Sequence, residues 1–330
     1  MSWDIILGVS LESLINATMI AYALAAIGLN VQFGYTGLLN FGQSAFLGVA
    51  AYGMAMTVAT FGLPFWIGIG VGLAGALVLA LLLGIPTLRL RADYLAIVTI
   101  AAAEIVRLLF RSVSLSEWTG GSDGLQAFSD DFFALNPYSS SLDIGTIISF
   151  DQRELWVMTV GWALVAISLL IVFLAMRSPW GRVIKAVRED EDAVRSLGKN
   201  VVSYKMQSLI LGGVLGSLGG FIIALKNAAI QPDTYGTEFT FYMYTIVILG
   251  GAARVFGPVV GSMIFWFLLT LVNAVLPEAI AEGYIPSWLM NSNQAGAVGY
   301  ILVGLGLILL LIFRPQGIFG DKKEVMLDGR

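Results

Sequence analysis

Glu104, Arg107 and Arg111 are spaced by three and four residues within an apolar run, so a helix carries them on one face. Glu104 lies about ten residues into that run, deep enough to sit inside a bilayer if the run crosses one. Charges at such depth are costly and face a cavity or one another. Two roles fit. One is the wall of a pathway for a polar solute; the other is a structural ion pair, with Arg111 snorkelling to the interface. A second polar group, Asn40, Gln43 and Ser44, follows a Gly-rich stretch. It suits hydrogen bonding to a small polar solute, with a helix N-terminus beside the break for a carboxylate. It suits equally the satisfaction of broken backbone around it.

Covalent chemistry has little to work with. The chain has no Cys and no His, which removes disulfides, thiolates, His-based acid–base catalysis and the usual zinc or haem ligand sets. No GxxxxGK[ST] loop occurs, so this chain does not hold ATP by that route. The Gly-rich GGVLGSLGG at 212–220 lies inside an apolar run and reads as close helix packing, not as a phosphate cradle.

The elements that position these residues follow from composition. The 330 residues are 58% hydrophobic and 12% charged, with mean hydropathy +0.85. Apolar runs long enough to cross about 30 Å of hydrocarbon recur. The chain therefore reads as an all-α, polytopic helical membrane protein of about nine membrane segments, one of them broken or re-entrant, forming a single transmembrane domain over 1–330. The N-terminus lacks Lys or Arg before its apolar run, unlike a cleavable signal peptide.

Segments are expected near 11–31, 65–85 (stopping at Pro86), 94–110, 155–176, 206–225, 239–249, 259–276 and 295–313. Residues 34–44 form a broken or re-entrant lead into a helix running to about Thr60. The segment at 239–249 is short for a full crossing. A long polar loop at 112–154 holds seven acids against the single Arg153.

The stretch 177–205 is the longest charged passage, with seven Lys/Arg and four Asp/Glu. Pro179 and Gly181 punctuate the end of an apolar run. Acids Glu189, Asp190, Glu191 and Asp192 precede Arg195 and Lys199, an order that complements a helix macrodipole. Gly198 suits a C′ stop. About two turns of amphipathic helix are expected at 190–197, outside the bilayer, with Ala193, Val194 and Leu197 as its apolar face; a solvated loop is the alternative. Placing 177–205 in the cytoplasm puts fourteen of the eighteen Lys and Arg on that side, including Arg89, Arg91, Arg254, Arg314, Lys322, Lys323 and Arg330. The loops 112–154 and 277–294 then lie outside, with the N-terminus out and the C-terminus in.

Several stretches together resemble one family. GLLNFGQSAFLGVAAYG, ADYLAIVTIAAAEIVRLL, SPWGRVIKAVREDEDAVRSLGKNVVSYK, VILGGAARVFGPVVGS and FRPQGIFG are similar to signatures of the LivM-like permease subunits of branched-chain amino acid ABC importers. The likeness covers most of the chain. Two departures are visible: Ala253 stands where a further Gly is expected, and the His that often follows the Gln-Ser pair is absent.

The resemblance implies a translocation subunit rather than an enzyme, in the inner (plasma) membrane of a bacterium or archaeon. It implies a LivH-like second permease, two ABC ATPase subunits and an extracytoplasmic solute-binding protein. No cofactor is implied for this chain; ATP-Mg belongs to the ATPases. The 177–205 loop becomes the coupling loop, with Glu189, Asp190, Glu191, Asp192, Ala193, Arg195 and Gly198 at the ATPase. Asp192-Ala193-Val194, three residues, then Gly198 is the nearest fit to the EAA-x3-G pattern of ABC importers. Branched-chain or related amino acids are the implied solutes, with urea, amides or other polar solutes as alternatives. An ion-coupled secondary transporter would need coupling groups in the membrane, and only Glu104 qualifies.

Overall fold

Asn16 splits the first apolar segment in two. Its side chain accepts from the Met19 amide at 3.0 Å and caps a new helix. Just before it, the hydroxyls of Ser10 and Ser13 donate to carbonyls four and three residues back, at 2.7 and 2.6 Å. The computed structural model describes residues 3–88, 90, 92–144, 148–284, 291–313 and 317–319. In it α1 (Trp3–Glu12) and α2 (Ala17–Leu29) replace the expected single segment, and a π-helical turn, Asn30–Tyr35, extends α2.

Residues 37–42 are irregular, as expected for a broken segment, and lead into α3 (Gln43–Ala55), which ends in a π turn over Met56–Thr60. α4 (Phe65–Thr87) runs one residue past Pro86 instead of stopping at it. A proline in a last turn removes a single hydrogen bond, so the helix ends there without breaking earlier. α5 (Ala92–Arg111) follows. The polar stretch after it is not bare loop. It holds α6 (Ser116–Thr119), β1 (Leu125–Gln126), α7 (Asp130–Ala134) and a hairpin of β2 (Leu142–Ile144) and β3 (Ile148–Phe150).

α8 (Gln152–Arg177) leads to α9 (Pro179–Glu189) and α10 (Glu191–Ser196), then α11 (Val201–Asn227). β4 (Ala229–Ile230) pairs antiparallel with β1, Leu125 opposite Ile230. A 3-10 turn over Pro232–Tyr235 precedes α12 (Thr237–Gly250), which is short as its sequence indicated. α13 (Gly257–Ala281) and α14 (Ser292–Phe313) complete the bundle. Arg89, Arg91, Arg314, Lys322, Lys323 and Arg330 lie outside the described residues.

Among the described residues, five helical stretches are long and apolar enough to cross a membrane: Trp3–Tyr35, Phe65–Thr87, Gln152–Arg177, Val201–Asn227 and Gly257–Ala281. The chain is thus a polytopic helical membrane protein. α2 and α11 form its centre. Nearly all of α2 is buried, and its backbone presses directly on α11: a Cβ on Gly28 would lie 2.2 Å from the Gly212 carbonyl oxygen, and one on Gly212 2.4 Å from that of Gly28. Only glycines permit this approach, so the run at 212–220 serves packing. α4, α5 and α8 sit outside this centre and turn large apolar side chains outward, among them Trp66, Ile85, Ile97, Leu109, Leu170 and Leu174. In water this would be a liability; in lipid it is the expected surface.

Candidate functional site

α5 places Glu104 and Arg107 one turn apart, and the two pair. Arg107 Nε donates to the Glu104 carboxylate oxygens at 3.2 and 3.0 Å. Arg107 Nη1 also bonds Asp233, and Arg111 Nη1 reaches the same Asp233 oxygen at 3.4 Å. The one-face expectation for these three α5 residues holds. Asp233, in the turn before α12, is the partner that spacing within α5 does not reveal, because it lies more than 120 residues away. The ion pair exists, and Glu104, Arg107 and Asp233 also line a cavity of about 420 Å³ together with Tyr22, Glu238 and Tyr242.

Asn40, Gln43 and Ser44 gather at the break before α3, away from that cavity, and are buried to within 1%. Asn40 Nδ2 donates to Gln32 Oε1 at 2.8 Å and to Gln43 Oε1 at 3.3 Å, while Asn40 Oδ1 accepts from the Gly42 amide at 2.9 Å. Gln32 and Gln43 each donate to an α11 carbonyl, of Leu209 and Gly212, at 3.2 Å. Two threonine hydroxyls complete the set: Thr99 on α5 accepts from the Phe41 amide, and Thr240 on α12 from the Ser44 amide, each at 3.0 Å. The amides of Asn40 and Gln43 are thus engaged in replacing the helical hydrogen bonds that the break gives up. Gln32, Thr99 and Thr240 were not singled out in the sequence; a Gln or Thr between two apolar neighbours is a signal too common to be specific.

The charged stretch is a helical pair rather than one helix. Ser178 caps α9, accepting from the Gly181 amide at 3.4 Å, and Pro179 sits at its first position. Pro179 and Gly181 therefore open a helix that the sequence reading missed, having taken them as the end of the preceding run. The overlooked signal was the Ser-Pro start with apolar residues at Val183, Ile184 and Val187. α10 falls within the expected 190–197. Asp190 caps it, its Oδ1 accepting from the Asp192 and Ala193 amides at 2.9 and 3.0 Å. Gly198 ends it at φ +75°, the left-handed conformation expected of a C′ stop.

Val194 turns inward against Val187 and Val201, whereas Leu197, expected on the same apolar face, is 79% exposed. Glu189, Asp190, Asp192 and Arg195 are exposed, and Arg195 pairs with Asp192. Glu191 pairs with Lys205 on α11, which anchors α10 to the bundle. Arg188, near the end of α9, donates through Nη1 to the Gly34 carbonyl at 2.7 Å.

Ala253 adopts φ +59°, so the position where a further Gly was expected does take left-handed backbone. Asn30 braces it. Asn30 Oδ1 accepts from the Ala253 amide and its Nδ2 donates to the Arg254 carbonyl, both at 2.9 Å.

Residues 11–312 match the family model described as branched-chain amino acid transport system / permease component. The chain is 29% identical to the high-affinity branched-chain amino acid transport system permease protein LivM of Escherichia coli, over 96% of this chain and 72% of that protein. It is 26% identical to the probable branched-chain amino acid transport permease protein LivM of Methanocaldococcus jannaschii, over 96% and 95%. It is also 24% identical to the LivH permease of Escherichia coli, over 91% of each chain.

Proposed function

The chain belongs to the branched-chain amino acid transport permease family, and from that premise we propose how this subunit couples ATP hydrolysis elsewhere to solute movement through itself. It is the permease component of a branched-chain amino acid ABC transport system, a translocation subunit rather than an enzyme. The observation that carries the coupling reading is the capped helix Glu191–Ser196. It is exposed on one side and tied on the other to α11 through Glu191–Lys205, and the adjoining α9 is tied through Arg188–Gly34 to the π turn just ahead of the broken segment. A short rigid helix outside the membrane, fixed to the elements that must move, is what a soluble motor needs in order to push.

In this reading Glu189, Asp190, Asp192, Ala193 and Arg195 meet an ABC ATPase, Glu191 holds the helix to α11, and Gly198 fixes where it ends. Two ATPase copies, with ATP-Mg bound in them, act from the cytoplasm. A LivH-like permease completes the membrane unit, and an extracytoplasmic solute-binding protein delivers the amino acid. The stretches 112–154 and 277–294, the second of which takes in the end of α13 and the start of α14, lie outside, and about nine segments cross or enter the bilayer, with N-terminus out and C-terminus in. Glu104 and Arg107 line the pathway. Asn40 and Gln43 hold the broken segment through their side chains, and Ser44 ties it to α12 through its backbone amide. The ATPases bias two arrangements of the bundle that differ by a few kcal/mol.

The test is ATP-dependent uptake in proteoliposomes holding this chain with its second permease, ATPases and binding protein, against a panel of amino acids, amides and urea. Uptake of branched-chain amino acids that needs every partner is the expected result. Uptake by this chain alone on an ion gradient overturns the coupling reading. Uptake of urea or amides in place of amino acids overturns the solute class.

A further inference from the structure

Two membrane-spanning helices end at one cavity. Arg177 is the last residue of the span Gln152–Arg177 and Gly257 the first of the span Gly257–Ala281, and both line a cavity of about 440 Å³. Apolar spans begin and end where hydrocarbon gives way to headgroups, so the cavity lies at that level, on the membrane face that carries α9. Lys185 of α9 and Arg254 of the turn between α12 and α13 also line it, with no Asp or Glu among the described lining residues. Three elements distant in sequence thus bring three cationic side chains to one concavity. Arg177 and Lys185 have no carboxylate partner among the described residues. Each stands over an aromatic ring instead, the Arg177 guanidinium 4.1 Å from the Phe173 centroid and the Lys185 ammonium 5.7 Å from that of Tyr35. A ring face orients a cation without neutralising it. The backbone of Arg254 is held too, its carbonyl accepting from Asn30 Nδ2 at 2.9 Å.

Charge alone does not separate a lipid headgroup from a dissolved anion; the apolar surroundings do. Phe256 and Phe319 line the cavity and are still 62% and 50% exposed. Leu170, Leu174 and Arg177 are spaced by four and three on α8, which puts them on one face of that helix. Leu170 and Leu174 point outward from the bundle, so an apolar track leads along α8 to the Arg177 guanidinium. A dissolved anion gains nothing from that track, whereas an acyl chain attached to the anion does. α9 has the same polarity. Gly181, Ile184 and Val187 are buried against the bundle, and Arg182 and Lys185 are exposed, which gives a helix at the membrane face a basic outer side.

We infer that this cavity binds the phosphate headgroup of an anionic phospholipid from the leaflet on the α9 side. The phosphodiester sits among Arg177, Lys185 and Arg254, and the acyl chains lie on Leu170 and Leu174 of α8. Uncommitted cations in a concavity at headgroup level, continuous with a lipid-facing apolar track, match that ligand at both of its ends. The bound lipid would bridge the end of α8, the exposed side of α9 and the turn before α13. The inference rests on the membrane-spanning fold and not on the coupling role given to α10, so either can fail without the other.

The test is native mass spectrometry of the permease pair with its ATPases, released from detergent and titrated with phosphatidylglycerol, phosphatidylcholine or inorganic phosphate. The same spectra report whether the complex is intact, which separates lost binding from lost assembly. Phosphatidylglycerol is expected to give the tightest first binding step, about tenfold tighter than zwitterionic phosphatidylcholine. Arg177→Gln and Lys185→Gln should each weaken that step about fivefold, the worth of one basic residue at an anionic lipid surface. Arg177→Lys, which keeps the charge, should retain most of it. Lys199→Gln removes an exposed cation beyond α10 and outside the cavity lining, and should leave it unchanged. Equal affinity for the two lipids, no weakening in either cavity variant, or equal weakening in Lys199→Gln overturns the site. Displacement of phosphatidylglycerol by inorganic phosphate at similar concentration shows a site for a free anion and overturns the lipid assignment.

Discussion

Arg188 and Gly34 are 154 residues apart in sequence, yet a hydrogen bond of 2.7 Å joins the guanidinium of one to the carbonyl of the other. The bond links the last turn of α9 to the π turn that extends α2, immediately ahead of the broken segment. Gly37, the first residue of that segment, lies under the same side chain: a Cβ there would meet Arg188 Cγ at 3.3 Å. The helical pair outside the bundle therefore reaches the break directly, without an intervening loop to absorb its movement.

Replacing Arg188 with Ala is expected to lower transport per ATP hydrolysed by about tenfold, the order set by losing one charge-assisted hydrogen bond. Arg188→Lys keeps the charge but not the planar fork and should fall between. The measurement is the ratio of uptake to ATPase rate in proteoliposomes, with co-purification of all subunits as the control for assembly. An unchanged ratio in both variants would remove Arg188 from the coupling route.

Asp190 holds the start of α10 with two backbone hydrogen bonds, and Gly198 holds its end. Asp190→Ala should cost this short helix about 1 kcal/mol. At Gly198 a Cβ would meet nothing within 4 Å, so any effect must come from backbone conformation rather than collision. Gly198→Val is therefore expected to uncouple hydrolysis from uptake while leaving membrane insertion intact, whereas Gly198→Asn, which tolerates φ near +75°, retains coupling. Equal, full coupling in both Gly198 variants would show that the end of α10 is not mechanically important.

The break before α3 gives a prediction of a different kind. Asn40→Ala leaves the Gly42 amide and Gln32 Oε1 without their partners in a fully buried place. Each orphaned group costs about 1–3 kcal/mol. The thermal midpoint of the detergent-purified subunit should fall by several degrees, on the order of 5 °C. A solute ligand role alone would leave the midpoint unchanged and alter only transport.

These sites differ in how far the sequence announced them. The break expected over 34–44 was legible because its Gly, Asn, Gln and Ser are too polar for a lipid-facing helix, although only 37–42 are irregular, and α10 because acids, bases and Gly198 follow in the order a helix requires. α9 was not legible: a Pro after a long apolar run ends one helix as readily as it starts another, and only the Ser178 cap decides between them. Asp233 and Arg188 show the other limit. Each acts through a partner more than 120 residues away, and spacing within one helix carries no information about such a pairing. Asn16 is a third case, a single polar residue whose capping bond divides what hydropathy reads as one segment.

Ala253 offers a substitution that should stabilise. Its φ of +59° costs an L-residue about 1–2 kcal/mol, which Gly would avoid at an unfolded-state entropy cost of about 0.5–1 kcal/mol. Ala253→Gly is therefore expected to gain up to about 1 kcal/mol, seen as a small rise in the thermal midpoint. The strained conformation persists because Asn30 holds both sides of it, through the Ala253 amide and the Arg254 carbonyl. Asn30→Ala should accordingly destabilise the wild type, and Ala253→Gly should recover part of that loss because the turn would no longer need forcing. If Gly at 253 lowers the midpoint in both backgrounds, the Ala253 methyl contributes more by packing than its backbone conformation costs.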